Sequence, residues 1–74
     1  MSEKIDDGKL EKIIFEFIKN RTVENESTTS RHIHRRFDIE MSKANKILAD
    51  LLRKNQIEEF YDEEYQEYRY SHVK

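Results

Sequence analysis

The segment IEEFYDEEYQEYRYS, residues 57–71, decides the fold of this chain. Two aromatic-rich runs, Ile57 to Tyr61 and Tyr65 to Ser71, flank the acidic triplet Asp62-Glu63-Glu64, which is the composition of two strands and a turn. At the two-residue strand period, Tyr68 and Tyr70 fall on one face and Glu67 and Arg69 on the other. No Gly or Pro sits at the tip, so a tight two-residue turn is disfavoured and a longer loop is expected. A plain three-helix bundle is the competing fold, and it fails on this strand-like composition.

Working outward, Ala44, Ile47, Leu48, Leu51 and Leu52 form the cleanest amphipathic stripe in the chain. A helix is expected from a Ser42 cap to between Leu52 and Gln56, presenting Ser42, Asn45, Lys46, Ala49, Asp50 and Arg53 outward with Lys43 on the flank. Before it, a short helix from about Arg31 to Phe37 turns Ile33 and Phe37 inward, with Thr29 or Ser30 as cap and Ile39 plugging the next turn. Thr28-Thr29 suits a very short strand, and the polar, aperiodic stretch Asn20 to Ser27 reads as a loop. Leu10, Ile13, Ile14, Phe17 and Ile18 recur on one helical face, which predicts a first helix capped by Asp6 or Asp7. Phe15 lies off that stripe, and packing beneath the C-terminal segment is favoured over exposure.

The order helix, short strand, helix, helix, strand, strand buries every stripe only if the helices pack together under the hairpin, with Thr28-Thr29 as an edge strand. The expected architecture is therefore an α+β winged helix, one domain over residues 1–74, with 1–7 and 72–74 fraying.

Composition bounds the rest. Seventy-four residues make one small domain, and a chain of this size buries about 60% of its unfolded surface. With no Cys, packing alone must hold it together. A charged fraction of 41% against 35% hydrophobic leans toward disorder, but the apolar residues are periodic. No apolar run reaches the roughly 20 residues of a membrane span, and no signal-peptide stretch opens the chain, so an intracellular protein without a membrane partner is expected. Net charge is −2, sharply partitioned. Residues 1–30 carry five basic against seven acidic side chains (−2), residues 31–54 seven against three (+4), and residues 55–74 two against six (−4). Any polyanion is expected to bind the middle segment.

The stretch TSRHIHRRFDIEMSKANKILADLLRKNQI, Thr29 to Ile57, resembles helix 2, turn and helix 3 of winged-helix domains. The layout is most similar to the Z-nucleic-acid-binding domains of poxvirus interferon antagonists and their cellular relatives, on the run Ala44-Asn45-Lys46-Ile47-Leu48. The resemblance implies backbone-contacting roles for Asn45 and Lys46. It stops at Ala49, where that family carries a Tyr, and at Glu67-Tyr68-Arg69-Tyr70, where its wing has consecutive prolines and a Trp.

Two groups of residues follow as nucleic-acid contacts. Lys43, Asn45, Lys46 and Arg53, with Ser42, share the exposed face of the helix that this fold inserts into the major groove. Arg31, Arg35 and Arg36, together with His32 and His34, form the densest positive cluster, suited to flanking phosphates. Duplex DNA is the expected ligand, in a protein of the transcriptional-regulator kind. The acidic hairpin would be repelled by phosphate, so Tyr61, Tyr65 and Tyr68, joined by Phe15, are expected to contact a protein, a homodimer partner included. An interaction module with no nucleic-acid contact is the alternative. His32 and His34 point about 200° apart on a helix and cannot share a metal. No nucleophile–base set or glycine-rich phosphate loop is recognisable, so neither catalysis, cofactor nor small-molecule substrate is expected.

Overall fold

The computed structural model describes residues 7–73, and α1 spans Asp7–Val23, α2 Ser30–Phe37 and α3 Met41–Arg53. Strands β1 (Ile57–Asp62) and β2 (Glu67–His72) follow as an antiparallel hairpin. Its register pairs Ile57 with His72, Glu59 with Tyr70, and Tyr61 with Tyr68. Thr28 joins the outer edge of β2 through one bridge, its N–H donating to Tyr70 O at 2.9 Å and its carbonyl accepting from Tyr70 N at 2.8 Å. Three helices with this hairpin form the α+β winged-helix arrangement, in which the short strand after α1 is reduced to a single residue.

The core is built from one residue per turn of α1 (Leu10, Ile14, Ile18), Ile33 of α2, and the Ala44, Ile47, Leu48 and Leu51 stripe of α3. Ile57 and Tyr70 of the wing close it, and Phe15, Phe17, Phe37, Ile39 and Leu52 pack around its edge. Ile13 was expected on the inward face but is 43% exposed. The 3.6-residue period swings it off the Leu10–Ile14–Ile18 line, and no described element covers that flank.

Each helix ends on a left-handed residue, and none of these is Gly. Asn25 (φ 63°) closes α1, with Glu26 N donating to Arg21 O at 2.8 Å and Asn25 N to Thr22 O at 2.9 Å. Asn55 (φ 60°) repeats the motif after α3, and Asp38 (φ 53°) ends α2 by donating its N–H to His34 O. Asn and Asp are the non-glycine residues that enter this region most readily. The fourth, Gln66 (φ 53°), lies in the four-residue loop between the strands, in keeping with the expected longer turn. There Asp62 Oδ1 accepts from Glu64 N at 3.0 Å and Tyr65 N at 3.3 Å.

Several boundaries differ from the sequence reading, and in the hairpin β1 runs on to Asp62 while β2 begins at Glu67 rather than Tyr65. Helix α1 runs four residues into the expected loop, to Val23, because tertiary contacts hold its last turn. Thr22 Oγ1 donates to Ile18 O (2.9 Å) and accepts from His72 N (3.0 Å), while Arg21 grips Ser27 O through Nη2 at 2.8 Å. Helix α3 begins at Met41 with Glu40 as N-cap, making no side-chain cap bond, so Ser42 lies inside the first turn. Of the expected first caps, Asp6 lies outside the described residues and position 7 is already helical. His72 does not fray: it ends β2, and Val73 N donates to Gln56 O at 3.3 Å.

Candidate nucleic-acid interface

Thr29 initiates α2 from extended backbone (φ −112°, ψ 164°), and its Oγ1 accepts from His32 N at 3.2 Å. His32 Nδ1 in turn accepts from Thr29 N at 3.2 Å, a reciprocal capping box in which imidazole replaces the usual Glu or Gln. That geometry needs an unprotonated Nδ1. Burial, then the charges of Arg21 and Arg69, lower the His32 pKa below 6.5, against smaller opposing effects of Glu67 and Glu26. His34 Nδ1 faces Ile39 O instead, so the two imidazoles serve different backbone groups.

With Ile33 buried and Phe37 half-buried against the Phe17 ring at 5.4 Å, the rest of α2 turns outward. Arg31, Arg35 and Arg36 are all exposed and carry no ion pair among the described residues. Arg31 and Arg35 are one turn apart on the same face, while Arg36 lies over the Phe37 ring at 5.5 Å. Helix α2 has no acidic residue in its first turn to offset them.

On α3, burial of Ala44, Ile47, Leu48 and Leu51 leaves Ser42, Asn45, Lys46 and Ala49 exposed. The other two candidate cations are placed differently from Lys46. Arg53 is exposed but pairs with Asp50 one turn earlier, and Lys43 is half-buried and engaged. A cleft of about 430 Å³ runs along this side of α3, lined by Glu11, Glu40 and Asp50 as well as Ser42, Lys43 and Lys46. Glu11 of α1, part of that lining, is paired with Lys54. The outward crest of α3 is thus small and basic, and its α1-facing flank is mixed in charge.

The wing divides lengthwise. Near the body, Tyr70 is 8% exposed and donates its hydroxyl to Glu59 Oε2 at 2.9 Å, burial and that carboxylate raising its pKa well above 10. Farther out on the same face, Tyr61 and Tyr68 pack edge to face at 5.0 Å and remain 49% and 55% exposed. Tyr65 in the loop is 63% exposed and lies under the Arg69 guanidinium at 5.4 Å. Phe15, by contrast, is half-buried with its ring 5.3 Å from His72, so it packs beneath the C-terminal strand as expected.

Two arginines to which the sequence reading gave no role hold this frame. Arg69 reaches Asp62 Oδ2 with Nε at 2.9 Å, off the angle of a formal hydrogen bond, and donates to Glu67 Oε2 at 2.9 Å and Ser27 Oγ at 2.8 Å. Arg21 binds the neighbouring Ser27 carbonyl and Thr28 Oγ1 at 3.2 Å. Their long-range partners could not be read from spacing, although Asp62 and Glu67, flanking the hairpin loop just before Arg69, are a local hint.

Among the described residues no cluster of His, Asp and Glu is placed to hold a metal ion, and no helix is long and apolar enough to cross a membrane. No protein-family model, curated protein or solved structure matches this chain.

Proposed function

We propose that this chain is a small winged-helix nucleic-acid-binding protein that lays the outward crest of α3 against duplex DNA while α2 holds flanking phosphates. The observation that carries the reading is the set of exposed cations without ion pairs among the described residues, Arg31, Arg35 and Arg36 on α2 and Lys46 on α3. Arginine forks suit phosphate oxygens, and Ser42, Asn45 and Ala49 beside Lys46 leave a crest low enough to approach base edges. Arg53 and Lys43 contribute less, since one is offset by Asp50 and the other is engaged. The role is binding rather than catalysis, in an intracellular setting such as transcriptional regulation.

The test is duplex affinity against salt. About four phosphate contacts would lose on the order of 10²-fold in affinity between about 50 and 200 mM salt, and Arg31→Ala with Arg35→Ala should lower the log–log slope by about 2. Wild-type affinity that is absent or independent of salt would overturn the reading. Binding that survives Lys46→Ala with Arg31→Ala and Arg35→Ala would move the site elsewhere. A second reading, a protein-interaction module without nucleic-acid binding, is favoured by one observation, the exposed Tyr61–Tyr68 pair on the wing.

A further inference from the structure

The outer half of the wing is a sheet face without a partner. Tyr61 and Tyr68 form an exposed aromatic pair, Tyr65 is exposed in the adjoining loop against Arg69, and Phe60 is 45% exposed on the opposite face. Sheet faces of soluble domains are usually covered or polar, and exposed tyrosines are the residues most enriched at interfaces. In the loop at its end, Glu63 and Glu64 are exposed and carry no ion pair among the described residues, while Glu58 shares the opposite face with Phe60. These carboxylates limit what can cover the face. A second wing brought against the first would set one −4 segment on another and leave the carboxylates facing like charge in a drying interface, which disfavours that pairing.

The complementary surface is present on the same chain. Residues 31–54 carry +4, and Arg31, Arg35 and Arg36 are exposed without a carboxylate partner among the described residues. Guanidinium groups stack on tyrosine faces and fork onto carboxylates, so one arginine helix can satisfy both features of the wing. The molecule already uses this contact internally, with Arg69 over the Tyr65 ring and paired to Asp62 and Glu67.

We propose that the exposed tyrosine face of the wing docks on the arginine-bearing face of α2 of a second copy of this chain. The contact is heterologous, each copy offering a wing to one neighbour and an arginine helix to another, so it builds rings or open chains rather than a two-fold dimer. It does not depend on nucleic-acid binding. Where the phosphate reading above also holds, the wing occupies the same arginines, and duplex and self-association exclude one another.

Sedimentation velocity with charge-reversed variants tests this. Wild-type protein should sediment above the 9.1 kDa monomer at about 0.01 M salt, where the Debye length is about 30 Å, and as monomer at about 1 M, where it is about 3 Å. A wing variant, Glu63→Lys with Glu64→Lys, and a helix variant, Arg31→Glu with Arg35→Glu, should each be monomeric alone. Mixed in equal amounts they should associate again, since each interface regains opposite charges. Association that strengthens with salt, or that either variant retains alone, overturns the proposal. So does monomeric wild type at low salt, and if an arginine-rich peptide then binds the wing, the face belongs to a different basic partner. Circular dichroism of both variants at about 1 M salt checks that charge reversal has not unfolded them. Loss of duplex binding with self-association intact removes the phosphate reading and leaves this one standing.

Discussion

The capping box at the start of α2 makes a pH-dependent prediction that one substitution can isolate. Thr29 Oγ1 and His32 Nδ1 each accept a backbone N–H at 3.2 Å, at a position where Thr29 is 5% exposed. Loss of an N-cap side chain costs about 1 kcal/mol, within about 0.5–2, and the buried site places Thr29→Ala toward the upper part of that range. In a domain of this size about 1 kcal/mol lowers Tm by roughly 4–8 °C. The second bond titrates. Its pKa is lowered from 6.5 in the folded chain by burial and by Arg21 and Arg69, so the unfolded state binds the proton first as pH falls. Stability is therefore fully present above 6.5 and is lost as pH drops from there through the folded pKa. Protonation also places a cation in the first turn of α2, against the helix dipole. His32→Gln separates the effects, because Gln is a normal box acceptor that does not titrate. Thermal melts between about pH 8 and 5 should show wild type falling more steeply than His32→Gln, with the two within about 0.5 kcal/mol of each other at the alkaline end. Parallel curves would refute the argument that the imidazole is held neutral by the cap. His34 and His72 are present in both proteins, so they cancel.

Further outcomes follow from the packing. Leu48 is 1% exposed in the centre of the core, and Leu48→Ala should cost about 2–5 kcal/mol, enough to unfold much of so small a domain in a urea titration. Gln66 holds φ 53° without the Asn or Asp side chain that eases the other three left-handed positions. Gln66→Gly should therefore raise Tm, by up to about 1 kcal/mol of stability. Arg69→Ala leaves the half-buried Asp62 and Glu67 carboxylates and Ser27 without their shared donor. It should cost about 1–3 kcal/mol, with hydrogen exchange accelerating in β2 before α3.

Sequence by itself determined the elements and their order. The Ala44, Ile47, Leu48, Leu51 stripe and the two-residue alternation of Tyr68 and Tyr70 are local periodicities, and α3 and the hairpin appear where those periods place them. The exposed arginines of α2 were legible in the same way, because burying Ile33 and Phe37 leaves them nowhere else to go. The stops of α2 and α3 fall where the sequence reading put them, at Asp38 and Asn55, residues that tolerate left-handed backbone. Tertiary structure alone decided what depends on distant partners. Helix α1 continues through the polar residues Arg21 and Thr22 because Ser27 and His72 meet them there. Arg53 and Lys54 are neighbours in sequence, yet one pairs within its own helix and the other with Glu11, 43 residues away. Tyr68 and Tyr70 share a face and a residue type, but the domain body reaches only as far as Tyr70, which is buried, and leaves Tyr68 exposed. Periodicity reports which way a side chain points. Whether anything stands there to cover it is set by the packing of other elements, and the tyrosine face of the wing exists because the core ends one residue pair too soon to bury it.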